Sequence, residues 1–442
     1  MFQRKAAGGL AAAAAVTLIL AGCSSTGSDT GDGGPEDQNA GPVTIEFWSM
    51  PFGGHTEEDV AAYVDEFNAS QDDIVVELTG LQWADGRDKI IQAVGAGTGP
   101  DVFIMAPVNQ DFLTSGSLAS LADLGYTQDE VEPFLDIIEA AAGYDGEIYG
   151  VPIGYYTNVL YYNATLLEQY GFDGPPETWE ELKETAATIT TESAAAGDPV
   201  MGFQIKGMDD HLNAINHTWA NFFYQAGGEQ LIDDLTKANA DSQSGREALE
   251  YLRSFVEEGI STPGPSAKGG FIDGTVAMFT FQQLHLPEIE ASTLADEWGL
   301  APMPEGPDTA SSYTDGEFLV ANAASEELEA AGTFMKWMTS PEQGLRYMEK
   351  APLFAYDLDE VSDEVRGQVE ALIEADPNRG ALLEQLQRAS LSNIVAERHA
   401  QAARWEAQKQ YIVAAINGDM SIDDALAAID AAVDEALEVA SY

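Results

Sequence analysis

The chain of 442 residues contains one cysteine, five histidines and only 19 basic side chains against 75 acidic ones. A lone cysteine leaves no disulfide partner within the chain. The histidines, His55, His211, His217, His285 and His399, show no His-Glu-x-x-His spacing, so no zinc constellation assembles from them. The shortage of Lys and Arg excludes nucleic acid as a partner, because phosphate recognition needs a basic patch. No repeat of fixed period is present, which excludes a solenoid or propeller. A Gly-x-Ser-x-Gly elbow is also missing. The glycines at Gly95 to Gly99 are followed by Pro100 rather than a Lys-Ser/Thr pair, a helix stop and not a phosphate loop.

What is present begins at the N-terminus. Arg4 and Lys5 precede an uncharged run from Leu10 to Ala21, the layout of a secretory signal peptide and too short for the ~20 residues of a spanning helix. Leu20-Ala21-Gly22-Cys23 resembles the lipobox of bacterial lipoproteins. That resemblance implies removal of residues 1–22, lipid on Cys23 and attachment to the extracellular face of the cell membrane. Residues 23–42 are rich in Gly, Ser, Asp and Pro with almost nothing to bury, and are expected to act as a flexible tether.

The rest of the chain, about 420 residues, exceeds the ~250–300 at which a single core usually divides, so two lobes are expected. The formal net charge is −56, yet 45% of residues are hydrophobic, and disorder is not implied. The acidity reads as solvation of an exposed surface in a habitat where salt screens the repulsion.

Val43, Ile45 and Phe47 alternate with polar residues and predict a first strand ending at Trp48. Thr56 with Asp59 predicts a capping box, followed by a helix burying Val60, Tyr63, Val64 and Phe67. Strands at Ile74–Leu78 and Val102–Met105 and a helix at Asp88–Ala96 complete a β-α-β-α-β unit, hence a parallel sheet. Tyr149–Pro152, Asn158–Tyr162 and Val276–Phe281 read as further strands. Thr178 with Glu181, Leu328 to Met338, and Ser421 with Asp424 mark further helices.

Several segments in order are similar to the carbohydrate-binding extracellular solute-binding proteins of ABC importers, the family that includes maltodextrin-binding proteins. They are Ile45-Glu46-Phe47-Trp48, Gly99-Pro100-Asp101-Val102, Tyr149-Gly150-Val151-Pro152, Leu160-Tyr161-Tyr162-Asn163, Pro175 to Leu182, Gly274 to Met278, Ala301 to Pro304, Phe334 to Glu342, and Ile416-Asn417-Gly418 with Ser421 to Leu426. The resemblance implies an α/β, two-lobe periplasmic-binding-protein-like fold whose hinge the chain crosses three times. The crossings are expected near Pro152–Gly154, Leu300–Pro304 and Ala351–Phe354, giving 43–153 with 301–350 as one lobe and 154–300 with 351–442 as the other. It further implies capture of a small carbohydrate by lobe closure, delivery to the transmembrane subunits of an ABC permease, and no cofactor, metal or catalysis. The protein is expected to act as a monomer.

A sugar offers hydroxyls at its edge and C–H groups on its faces, so its site should combine carboxylates, amides and aromatic plates. Trp48 and His55 flank the loop after the first strand, at the carboxyl end where open α/β sheets place ligands. Met105 and Asn109 follow the third strand. Tyr156, beside Tyr155, stands where the family commonly has a polar or acidic residue. Trp219 belongs to the expected second lobe. Gln282, Gln283 and His285 follow a strand, and Leu284 replaces the stacking tryptophan of maltodextrin relatives, which argues against a long maltodextrin. Asp315-Gly316-Glu317 stands where relatives have a Gly-containing turn near ligand, and Trp405 matches the family tryptophan that precedes the final Ile-Asn-Gly-containing helix, so the resemblance implies that Asp315, Glu317 and Trp405 touch sugar. Core packing is the competing reading for Trp48, Trp219 and Trp405. A ferric-iron site at the tyrosine pairs, an anchored glycoside hydrolase and a wall-tethered adhesin are the alternatives.

Overall fold

Three β-strands at the amino end obey the alternation that predicts them: β1 (Val43–Ser49), β2 (Ile74–Gly80) and β3 (Val102–Met105). β1 pairs in parallel with both others, Phe47 lying opposite Leu78 and Val102. The computed structural model describes residues 41–442 apart from 84, 107, 109, 135–136, 206–215, 233–235, 265–266, 295–296, 351–353, 389–399 and 441–442. Residues 1–22 and Cys23 therefore lie outside the described residues.

Between β1 and β2 runs α1 (Glu57–Ser70). Thr56 closes both halves of its capping box with Asp59, and Val60, Tyr63, Val64 and Phe67 are buried. Between β2 and β3 runs α2 (Gly86–Gly95). A two-strand ribbon, β4 (Gly143–Tyr144) and β5 (Glu147–Ile148), precedes β6 (Val151–Asn163).

β6 is one continuous strand of 13 residues where the sequence suggests two short ones. Twelve of the 13 are buried, so both faces are covered and the polar alternation that marks a strand disappears. A second ribbon, β7 (Leu231–Ile232) with β8 (Lys237–Ala238), is followed by β9 (Met278–Gln282), β10 (Trp298–Ala301) and β11 (Thr314–Ala321). The main sheet has the order β10-β6-β11-β3-β1-β2, with β9 also on β6. β11 is antiparallel to both β3 and the first half of β6; β9 and β10 are antiparallel to its second half.

Two hydrophobic cores share β6. Val151, Ile153, Tyr155, Val159 and Tyr161 point into the first, with Ile45, Phe47, Phe103, Phe318 and Phe334. Leu160 points into the second, with side chains of the helices Trp179–Ala196, Asn216–Gln225, Gln243–Glu257, Gln401–Ile416 and Ile422–Ala440. Alternation along one strand thus serves both cores. The helices Asp363–Ala375 and Pro377–Arg388 place Val365, Val369, Leu382 and Leu386 against the first core.

Helix starts follow local chemistry. The Thr178 side chain accepts from Glu181 N, while Glu181 reaches back to Glu177 N at 2.8 Å rather than closing on Thr178. Ser421 accepts from Asp424 N at 3.1 Å and donates to its carboxylate at 2.6 Å. Trp179 is stacked on Tyr251, and Trp337 packs edge-on against Phe67, so both serve packing.

Candidate functional site

The carboxyl ends of β1, β2 and β3 open on one edge of the sheet, and the first residues of β11 pass just beyond β3. Phe318 lies opposite Met105, so Thr314 to Glu317 continue past the end of β3 alongside β6. Asp315 and Glu317, two residues apart, share a strand face. Gly316 between them presses on the opposite side: a Cβ there would stand 2.9 Å from both Tyr155 Cδ1 and Phe318 Cε2.

Tyr156 of β6 donates its hydroxyl to the Glu317 carboxylate. The Gly53 N–H of the loop after β1 reaches the same group, and Gly53 adopts φ +56°, the left-handed region that glycine enters freely. Burial pushes the Glu317 carboxyl up to about 8; the Tyr156 hydrogen bond opposes this, while nearby Asp315 adds to it. The Tyr156 phenol is driven well above its ordinary value by burial and then by the Glu317 charge. Asp315 is half-buried, accepts from Gly316 N at 2.8 Å, and is pushed up to about 6 by burial against the opposing pull of Arg87.

Gln283 works at the point where β6 changes partners. Its Oε1 accepts from Thr157 N at 3.1 Å and its Nε2 donates to Tyr155 O at 2.8 Å. Beside it, Thr157 Oγ1 pairs with Ser312 Oγ at 2.6 Å, and Asn158 Nδ2 donates to Tyr313 O at 2.7 Å. Gln282 is buried opposite Asn158, its carbonyl accepting from the Tyr161 hydroxyl at 2.8 Å.

The other candidate residues disperse. His55 is 2% exposed within an aromatic cage of Phe52, Tyr63 and Tyr347 at 5.0 to 5.5 Å between centroids. Its Nδ1 lies 3.0 Å from the Tyr63 hydroxyl, and burial lowers its pKa to about 4, keeping the ring neutral. Trp48 is half-buried against the first core and Met105 is fully buried. Trp219 lies inside the second core, stacked on Phe223 at 4.8 Å. His285 stacks on Phe281 at 4.5 Å. Trp405 is half-buried on the helix Gln401–Ile416. Asn109 lies outside the described residues.

Tyr155 and Tyr156 project to opposite faces of β6, Tyr155 into the first core and Tyr156 toward Glu317, so the pair does not converge on one cation. Among the described residues no group of three or more His, Cys, Asp or Glu side chains could hold a metal ion. No described helix is long and apolar enough to cross a membrane.

Two residues at this edge escape the sequence reading. Trp83, in the loop after β2, is 42% exposed, and its indole N–H donates to Pro51 O at 2.6 Å. Arg87, the second residue of α2, is half-buried, and burial weakens its guanidinium's hold on its proton while Asp315 strengthens it. The rule applied to the loop after β1, extended to the loop after β2, finds both.

The arrangement combines hydrogen-bonding carboxylates, a phenol, a guanidinium and an exposed indole at the carboxyl edge of a parallel sheet. Among solved structures, the chain superposes on the cyclic alpha-maltosyl-1,6-maltose binding protein from Arthrobacter globiformis with TM-score 0.78 at 24% identity, covering 90% of this chain and 100% of that one. It superposes on UgpB from Mycobacterium tuberculosis, crystallised with glycerophosphocholine, with TM-score 0.76 at 20% identity, covering 91% and 100%. In sequence it is 24% identical over 309 residues to the lactose-binding protein of Rhizobium radiobacter, covering 66% of this chain and 69% of the relative. These likenesses establish a two-lobe binding-protein fold. Residues 62–370 match the family described as bacterial extracellular solute-binding protein, and the chain belongs to that family.

Proposed function

We propose that the protein is the substrate-binding receptor of an ABC importer, capturing a small carbohydrate between its lobes and presenting it unaltered to a membrane permease. The observation that carries this reading is the cluster of Tyr156, Asp315 and Glu317, with Tyr156 hydrogen-bonded to Glu317, beside the strand shared by both cores. A carboxylate at Asp315, a protonated carboxyl at Glu317 and a phenol held in low dielectric suit hydroxyl groups, which both donate and accept. Relatives that bind lactose and maltotriose support the same class.

The inferred lobes are 43–153 with 301–350 and 154–300 with 351–442; the first core extends past the first lobe to take in Phe271, Phe279, Phe281 and Leu300 and the helices Asp363–Ala375 and Pro377–Arg388. Three hinge crossings, near 152–154, 300–304 and 351–354, are inferred to connect them, residues 351–353 lying outside the described residues. A ligand that touches both lobes only when they are closed shifts the population toward closure. Lipid on Cys23 and the tether 23–42 hold the monomeric receptor to the extracellular face of the membrane.

No chemistry is assigned to the cleft. Asp315 and Glu317 stand on one strand and approach a guest from one side, whereas glycoside hydrolysis needs carboxyl groups flanking the scissile bond. A thermal-shift screen against mono- and oligosaccharides checks the reading. A binding sugar raises the midpoint in proportion to RT ln(1 + [L]/Kd) and is recovered intact. No shift from any sugar at millimolar concentration contradicts it.

A further inference from the structure

A cavity of about 400 Å³ opens beside the first core, where the chain between Tyr126 and Phe134 meets the segments Lys336 to Glu342 and Tyr356 to Val365. It shares no residue with the cluster of Tyr156, Asp315 and Glu317. Its volume falls within the ~300–1,000 Å³ of ordinary small-molecule sites. The three segments are joined by bonds that need no guest. Asp357 N donates to Pro133 O at 2.9 Å, Tyr356 donates its hydroxyl to Thr339 O, and Lys336 donates to Gly125 O at 2.9 Å and to Glu130 Oε1 at 2.7 Å.

The walls are aromatic. Phe134 and Tyr356 stack at 4.3 Å between centroids, and Tyr126 completes the lining. The Tyr126 ring already holds a cation, the Lys336 ammonium lying 4.9 Å from its centroid. That ammonium is engaged with Glu130, whereas Glu342 and Glu360, also in the lining, are exposed carboxylates with no ion pair among the described residues. The hydroxyls here are committed to their own chain: Thr339 donates to Met335 O at 2.8 Å, and Ser340 and Ser362 accept from Gln343 N and Val365 N as helix caps. Little hydrogen-bonding capacity is left for a polyhydroxyl guest. An anion is disfavoured as well. The helices Pro341–Met348 and Asp363–Ala375 start at this cavity, but their first turns already set Glu342, Asp363 and Glu364 against the partial positive charge there.

We propose that this cavity is a second binding site, for a small organic cation with a compact apolar body, of the class of methylated ammonium ions. The methyl groups rest on the aromatic walls, and the charge faces Glu342 and Glu360. The site is independent of the carbohydrate reading, because none of its residues belongs to the cluster that carries that reading.

Isothermal titration calorimetry of the whole protein with tetramethylammonium, ammonium and tert-butanol tests the site, at about 0.15 M sodium chloride, where the screening length is ~8 Å. Tetramethylammonium is expected to bind. Ammonium, which lacks the apolar body, and tert-butanol, a neutral near-isostere, are expected not to. The double variant Glu342→Gln/Glu360→Gln changes only exposed side chains and is expected to lose about three- to thirtyfold in affinity for tetramethylammonium. Phe134→Leu keeps an apolar wall without the ring and is expected to lose by a similar factor. If its thermal midpoint shows that it fails to fold, the double variant decides the matter. Equal binding of ammonium or of tert-butanol would overturn the site, as would unchanged affinity in the double variant or no heat from tetramethylammonium at tens of millimolar. Displacement of tetramethylammonium by the neutral sugar with the largest thermal shift would place it in the cleft instead and also overturn the site. None of these failures touches the carbohydrate reading, which the sugar screen decides separately.

Discussion

His55 and Glu317 are two buried residues whose environments shift their protonation, with opposite effects on how stability depends on pH. The imidazole of His55, caged by Phe52, Tyr63 and Tyr347, has its pKa lowered from 6.5 to about 4 by burial. The unfolded chain therefore takes up this proton first as pH falls, and stability is lost between about pH 6.5 and 4, by about 3 kcal/mol at most. Denaturation midpoints of His55→Phe are expected to lack this fall, and an unchanged profile would contradict the cage. Glu317 is the reverse case, raised from 4.5 to about 8, so the folded state holds the proton longer and stability declines as pH rises from about 4.5 to 8. In Glu317→Gln, which cannot ionise, that decline is expected to disappear. Because Asp315, raised to about 6, contributes its own decline at lower pH, the test lies between about pH 6 and 8, where wild-type and variant profiles that run parallel would show that the Glu317 carboxyl is solvated.

At the scale of elements, β6 joins both cores, and Gln283 holds it where its partner strand changes. Replacing Gln283 with Leu removes the partners of Thr157 N and Tyr155 O together, two buried backbone groups, and is expected to cost about 2–5 kcal/mol in urea unfolding. Gly316→Ala is expected to cost about 1–3 kcal/mol, since the new methyl would press on Tyr155 and Phe318.

These are also the places where sequence was least informative. The alternation of Val43 to Phe47, the Thr56 box and the stripe from Leu328 to Met338 were legible because one face of each element is wet. β6 is buried on both faces, so nothing in Val151 to Asn163 announces one long strand instead of two short ones. At the site, Asp315, Glu317 and Tyr156 were legible as chemistry in a run with a family resemblance, though not their mutual bonding across 161 residues. His55 and Trp219 have residue types that suit ligand and core equally, and only packing separates the two.

For the whole molecule, a net charge of −56 and two cores sharing one strand set the behaviour. Self-repulsion of the acidic surface should be relieved as the screening length shrinks from ~30 Å at 0.01 M salt to ~3 Å at 1 M. The thermal midpoint is therefore expected to rise steadily with sodium chloride over that range, and a flat or falling profile would place the acidity in specific contacts instead. The central claim is that two lobes close upon an oxygen-rich guest, and small-angle X-ray scattering reads it most directly. With the neutral sugar that gives the largest thermal shift, the radius of gyration should fall and the scattering curve should change shape. Superimposable curves with and without that sugar at saturation would contradict the account.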